Sequence, residues 1–432
     1  MSATMIVAIC LFAVTYVLLI ALPKIRAYIA LGSAILFIAI GILPIGKVFF
    51  AVDWNVIMMI GGTMGIVALF IKSKMPALLA DVLIKKTPNV MWSTLALSLF
   101  SGIISAFVDN VATVLMVAPV AITIAKKLKI SPVISVICIA ISSNLQGAAT
   151  LVGDSTAIML GGYAGLDFLD FFVLNGKPGM FVIVQISALL ATLILAFVLR
   201  KEKQKISIES TTTVEDYFPT VLLVGMIALL IGASFIPNKL EITNGLICVG
   251  LLIIGIIYDI IRSKKFKVAV DTLKEIDFFT LLLLAGLFIV IAGIKQAGVV
   301  DEIAKLFVKL GNNNLFLMYT ILVWFSVLVS AFIDNIPYIA TMLPVTAGIA
   351  TILGVNPLVL YFGLLSGATL GGNLTPIGAS ANITALGILR KEGHEVASST
   401  FMKISVPFTL TAVMVGYILI WLIWAPNPFV FS

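Results

Sequence analysis

Two aspartate–asparagine pairs, Asp109-Asn110 and Asp334-Asn335, stand inside long apolar stretches. An ionised carboxylate at bilayer depth costs about 2.5–3.5 kcal/mol on insertion scales, so such a group faces a wet cavity, holds a cation or binds a proton. Aspartate also suits a structural task there, because its side chain accepts from the free N–H groups that open a helix. Both roles fit one position. The expectation is that Asp109 and Asp334 cap a helix and carry a coupling ion, H+ or Na+. Asn110 and Asn335 follow directly, with Thr113 one turn on in the first half, and amide and hydroxyl groups at a half-helix start bind an anion, an oxyacid or a dehydrated cation.

About 40 residues beyond each pair lies a second polar cluster in apolar surroundings. The first runs from Gly147 through Thr150, Gly153, Asp154 and Ser155 to Thr156. The second runs from Gly372 through Asn373, Thr375, Pro376, Gly378 and Ser380 to Asn382. Glycine lets a helix unwind and proline removes a donor, so hydroxyls and freed carbonyls become ligands. Asp154 has no acidic counterpart, since Ala379 takes its place, and one cation site is therefore richer in charge. Na+ at Asp109, Asp154 and Asp334 is the only metal expectation, with no structural metal and no cofactor beyond the coupling ion. Cys10, Cys138 and Cys248 lie far apart in apolar runs and form neither metal spacing nor a disulfide framework. His394 sits in a charged loop, and no Gly-x4-Gly-Lys-Ser/Thr phosphate loop is present.

These residues recur because the chain repeats. A shift of 225 residues lays Ser105–Asn110 on Ser330–Asn335, Pro119 on Pro344, Gly147 on Gly372, Thr150 on Thr375, Gly153 on Gly378 and Ser155 on Ser380. The same shift lays Gly61 on Gly286. The predicted fold is an all-α polytopic membrane protein of two inverted-topology repeats, each with a re-entrant hairpin and a broken transmembrane helix. The first repeat covers 1–200, with its hairpin near 91–126 and broken helix near 132–173. A cytoplasmic linker covers 201–218. The second repeat covers 219–432, with hairpin near 314–354 and broken helix near 356–389.

Composition forces the membrane reading. Of 432 residues, 61% are hydrophobic and 11% charged, too much apolar surface for a soluble domain to hide. Hydropathy marks full spans near 4–23, 27–46, 52–71, 178–199, 219–237, 243–261, 277–294 and 404–424, with amphipathic pieces near 75–87 and 299–310 lying at the interfaces. The first span reads as a retained helix and not a signal peptide. With the N-terminus outside, every one of the 27 Lys and Arg except Lys47, Lys177, Lys239, Lys295, Lys305 and Lys309 faces the cytoplasm. That is the bias of the positive-inside rule. The net charge of +7 thus records topology and not a nucleic-acid face. Both termini are expected outside a cell (inner) membrane. Five crossings per half invert the second, and in inverted-repeat transporters the site lies where the halves meet at the midplane.

The stretch from Asp109 to Pro119 resembles the first hairpin motif of the ion transporter superfamily, in its arsenite-permease/sodium-proton-antiporter (ArsB/NhaD) and citrate-transporter-like branch. The stretch from Leu370 to Asn382 is similar to the second break of melanosomal P-protein and arsenite-permease types. The resemblance covers essentially the whole chain. It implies cargo held between hairpin tips and helix breaks, by Asp109, Asn110, Thr113 and Gly153 to Thr156 opposite Asp334, Asn335, Thr375 and Gly378 to Asn382. One departure stands out: Ser155-Thr156-Ala157 follows Gly153-Asp154 where the family often has Pro-Pro-Asn.

The function expected is secondary active transport of a small ion or oxyacid, of arsenite/anion permease type and coupled to H+ or Na+. Carboxylates disfavour a bare anion, so a neutral acid such as arsenous acid, or a cation-paired anion, fits better. A Na+/H+ antiporter and a di/tricarboxylate (citrate-like) transporter are the alternatives. An intramembrane aspartyl protease is remote, because Asp154 lies in Leu-Val-Gly-Asp and not Gly-x-Gly-Asp. The chain is read as a transporter and not an enzyme. Expected partners are the bilayer, H+ or Na+, a small inorganic or organic acid or anion, and a second copy as homodimer. A separate ATPase subunit stays open, and no nucleic acid is expected.

Overall fold

The computed structural model describes residues 2–205 and 212–426, so part of the predicted linker falls outside the described residues. The first half forms α1 (Ala3–Ala21), α2 (Arg26–Ala39), the one-turn α3 (Val48–Ala51), α4 (Trp54–Lys72), α5 (Met75–Lys85), α6 (Val90–Ser105), α7 (Asn110–Leu128), α8 (Val133–Gln146), α9 (Ser155–Ala164) and α10 (Met180–Val198). The second forms α11 (Phe218–Ala233), α12 (Thr243–Ser263), α13 (Lys267–Lys274), α14 (Phe278–Gln296), α15 (Val299–Leu310), α16 (Leu315–Ser330), α17 (Asn335–Leu353), α18 (Leu358–Gly371), α19 (Ser380–Lys391) and α20 (Ser398–Trp424). The chain is an all-helical, multi-pass membrane protein: eight of these helices are long and apolar enough to cross a bilayer.

Both expected hairpins are present, α6–α7 and α16–α17, and both expected broken helices, α8–α9 and α18–α19. Each hairpin turn is made the same way, by an aspartate that caps the second leg. Asp109 accepts from Val111 N at 3.0 Å and Ala112 N at 3.3 Å, and Asp334 accepts from Ile336 N at 3.2 Å. Two expected spans are shorter than drawn. Helix α2 has 14 residues, because the chain turns at Gly41, whose φ is +80°, and again at Pro44. Helix α11 has 16, beginning at Phe218-Pro219 and ending ahead of Pro237.

The halves interlock. Helix α4 packs on α12 and α14 on α2, so the third crossing of each half lies against the second of the other. Glycine permits both crossings. A Cβ added at Gly62 would stand 2.6 Å from the carbonyl carbon of Cys248, and one at Gly286 2.8 Å from that of Ala30. The partner of Gly286 is therefore Gly62 and not Gly61. The offset between halves is 224 where Asp53 and Asp277 cap α4 and α14, and 225 where Asn89 and Asn314 cap α6 and α16. The extra residue falls between, in α15, which has 12 residues against 11 in α5.

At the centre, Asn144 Nδ2 donates to the Thr369 carbonyl at 2.8 Å, across 225 residues. A residue touches its own repeat-mate only beside the axis relating the copies. Reciprocal packing of α8 on α19 and α18 on α9, and of α7 on α19 and α17 on α9, makes that axis a local two-fold. Helices α8 from Val136 onward, α17 and α18 are buried on nearly every side. Helices apolar all round belong at such a core.

Candidate transport site

A cavity of about 440 Å³ opens beside this axis. Its wall takes Asp109, Asn110, Asp154 and Ser155 from the first half and Asn335 and Ser380 from the second. Lys72, Asp271 and Glu275 also line it, from the ends of α4 and α13 and the turn that follows. Residues from both hairpin tips and both helix breaks thus border one space, while Asp334 is not among those that line it.

The polar groups are connected across the halves. Asn335 Nδ2 donates to Asp154 Oδ2 at 3.2 Å, and Thr156 Oγ1 donates to the same oxygen at 3.1 Å. Thr156 in turn shares a hydrogen bond of 3.0 Å with Thr369 Oγ1. Asn110 Nδ2 donates to Asn144 Oδ1 at 2.8 Å, and Ser143 Oγ donates to the Asn110 carbonyl at 3.0 Å. Buried polar groups in a membrane interior need such partners.

The remaining predicted residues stand behind this wall. Thr113 is buried and returns its hydroxyl to the Asp109 carbonyl at 3.0 Å. Gly153 and Gly378 make two matching clusters of carbonyls. A Cβ at Gly153 would lie 2.7 Å from Gly147 O and 3.0 Å from Ala106 O and Ser105 O. One at Gly378 would lie 2.6 Å from Gly372 O, 2.7 Å from Ala331 O and 2.8 Å from Ser330 O. Only glycine lets three carbonyl oxygens converge so closely. Thr150 and Thr375 donate to the Ala106 and Ala331 carbonyls. Asn382 Nδ2 donates to the Gly372 and Thr375 carbonyls, both at 3.1 Å, while its Oδ1 and that of Asn373 are buried without a partner.

Beyond the wall residues Lys72, Asp271, Glu275 and Asp277, three further site residues escaped the sequence reading. Asn144 and Thr369 sit on the axis, and Ser142-Ser143-Asn144 was a polar run in an apolar helix that marked the place. Arg26 is the third. Counted as a loop cation, it instead starts α2 and makes an ion pair with Asp334 across 308 residues, and it lines the cavity. No local signal pointed there. Charges are consequently unequal: Asp334 has a cation, whereas no lysine or arginine among the described residues pairs with Asp109 or Asp154.

The sequence matches the profile of the citrate transporter family (CitMHS) over residues 16–367. The chain belongs to that family. This transporter is 31% identical over 427 residues to an uncharacterised transporter of Mycobacterium tuberculosis (strain CDC 1551 / Oshkosh), covering 96% of this chain and 98% of the relative. It is 24% identical to the P protein of Homo sapiens over 84% of this chain and 53% of that protein. In three dimensions it is similar to the YdaH transporter of Alcanivorax borkumensis, whose crystal structure has an unusual topology. The TM-score is 0.58 at 14% identity, over 86% of this chain and 84% of that one, a likeness of fold.

Proposed function

We propose that this transporter is a cation-coupled secondary transporter in which Asp109 and Asp154 take the coupling ion, H+ or Na+. The observation that carries the reading is the pair of unneutralised carboxylates on one intramembrane cavity, beside a third, Asp334, that Arg26 already balances. An unpaired carboxylate at that depth favours a proton or a cation. The carbonyl clusters around Gly153 and Gly378 supply further oxygen ligands of the hard kind that alkali cations accept.

The cargo is a small oxyacid, carried neutral or as a cation-paired anion. Asp109, Asp154, Asp271, Glu275 and Asp277 outnumber Arg26 and Lys72 around the space, which repels an unaccompanied polyanion. On the orientation that the basic-residue bias favours, Lys72, Asp271 and Glu275 lie at a cytoplasmic mouth, and the cavity belongs to an inward-facing state of a multi-pass cell-membrane protein. Direct Na+/H+ exchange is the second reading, favoured by the same two bare carboxylates, which need no cargo to trade one cation for another.

Purified protein in liposomes loaded with a pH-sensitive dye separates these. Flux that requires an acid such as citrate or arsenite together with a cation fits the cargo reading, and flux on Na+ alone fits exchange. Retention of wild-type coupled flux by Asp154→Asn, in protein that folds normally, would sink both.

A further inference from the structure

Both carboxylate oxygens of Asp334 are engaged: Oδ1 accepts from Ile336 N at 3.2 Å, and Oδ2 accepts from Arg26 and from Ser380 Oγ, the latter at 3.4 Å. Arg26 does not use its guanidinium fully. Its contact is one-pronged, from Nη1 to Oδ2, and no other hydrogen bond from its fork reaches an acceptor among the described residues. An arginine carries five donors in a plane shaped for two-pronged grip of a carboxylate or similar oxyanion. Its side chain is only 18% exposed, so water satisfies the spare donors poorly, and it lines the cavity.

The neighbourhood agrees. Ser380, the first residue of α19, lines the same space, and the residue before it, Ala379, offers no side-chain cap to the N–H groups of that turn. At the matching place in the first half Asp154 precedes Ser155 and likewise makes no side-chain cap, so the two helix starts differ in charge and not in capping. The cavity therefore has a carboxylate side, Asp109 and Asp154, and a cationic side, Arg26.

We infer that Arg26 is the specificity-determining residue that grips the oxyanion group of the cargo, a carboxylate or an inorganic oxyanion, with the donors that Asp334 leaves free. This rests on the transporter reading above and adds to it the place where the anionic group sits. Asp334 is then both the holder and the competitor of Arg26. It keeps the guanidinium aimed, and it weakens the site for any anion that must share it.

The variants that decide the matter are Arg26→Gln, Asp334→Asn and the double Arg26→Gln/Asp334→Asn. Binding of citrate, succinate and inorganic phosphate to protein in lipid nanodiscs is read as ligand-dependent thermal stabilisation, and cation-dependent proton flux is read in liposomes of the same proteins. At least one of the three anions stabilises the wild type. Citrate or succinate acting alone marks a carboxylate site, and phosphate acting alone marks an inorganic oxyanion site. Asp334→Asn binds that anion more tightly. Arg26→Gln loses roughly tenfold to a hundredfold in affinity, the size of one charge-assisted hydrogen bond. The double variant removes both charges together and so folds without a buried orphan, yet its affinity stays as low as that of Arg26→Gln. If instead the double variant regains wild-type affinity, Arg26 is only a counter-ion for Asp334 and the inference is overturned. No stabilisation by any of the anions in either the wild type or Asp334→Asn overturns it as well. Cation-driven flux persisting under either of those results leaves the transporter reading standing while this one falls.

Discussion

Replacing Gly378 by alanine tests whether the carbonyl cluster at the second helix break holds an ion. The new methyl carbon would stand 2.6 Å from Gly372 O, 2.7 Å from Ala331 O and 2.8 Å from Ser330 O. A comfortable carbon–oxygen contact is about 3.3 Å, so the three carbonyls must retreat by about 0.5 to 0.7 Å. All three belong to the backbone, at the end of α18 and at the tip of the α16–α17 hairpin, and no side-chain rotation relieves them. Overpacking of this sort costs about 1–3 kcal/mol. If that strain is borne by the cation-bound arrangement, half-saturation by the coupling cation rises roughly fivefold to 150-fold, at about 1.4 kcal/mol per decade. The assay is flux in liposomes against external Na+ and against pH, with Gly225→Ala as control, since an added Cβ there meets no atom within 4 Å. Gly153→Ala, which crowds the matching carbonyls of the first half, should behave alike. Wild-type cation dependence in both Gly378→Ala and Gly153→Ala refutes the assignment of these oxygens as ligands.

Gly62→Ala and Gly286→Ala should each lower the thermal midpoint of the detergent-solubilised protein, because both push a methyl into facing backbone at 2.6 to 2.9 Å; an unchanged midpoint would show that α4 and α14 can simply slide aside. Asn144→Ala leaves the Thr369 carbonyl and the Asn110 amide without their partner, at about 1–3 kcal/mol for each orphaned group. Its signature is a loss of stability together with slowed transport, and stability equal to wild type would remove Asn144 from the axis network. At the linker, Lys74 holds the Glu215 carboxyl below the usual glutamate range. That contact is complete above the unfolded value of about 4.3 and is lost as pH falls through the lowered value. A fluorescence distance probe between α4 and the linker should report the change in the wild type, and Glu215→Gln should abolish the step.

What the sequence disclosed was whatever is written locally or repeated. A capping aspartate needs only the backbone a few residues on, so the hairpin tips at Asp109 and Asp334 could be placed from residue type and setting alone. The breaks were legible because Gly153 and Gly378 stand in polar clusters that the repeat shows twice. Errors arose where two local readings were equivalent. The Gly61-Gly62 doublet allowed two registers against Gly286, and the contact with Cys248 and the matching caps Asp53 and Asp277 distinguish them. The length of α2 misled because an apolar run does not say where the helix stops, and Gly41 stops it early. Arg26 was hidden for a deeper reason. Its partner lies 308 residues away, and a statistic that counts basic residues by side of the membrane treats a cation at a helix start as topology.

That hidden residue also bears on how a symmetric fold can drive a directed cycle. The backbone is nearly the same in both halves: the same caps, the same carbonyl clusters around Gly153 and Gly378, and the same threonines, Thr150 and Thr375, closing them. Backbone alone would make two equivalent ion sites, with nothing to distinguish one from the other. Side-chain charge breaks the equivalence twice, by Asp154 where the other half has Ala379 and by Arg26 on Asp334 where Asp109 has no cation. Both changes act in the same sense, making the first break more negative and the second less so. On the reading proposed above, a cation then prefers the first break and an anionic group the second, side by side in one cavity. Neutral pairing of the two solutes inside the site reduces the charge that must cross the bilayer, which is the dominant electrostatic cost of the step. An anionic group that enters alone adds its charge to a site that already holds two bare carboxylates, so it is admitted only with a cation beside it, and that requirement is what couples the two fluxes.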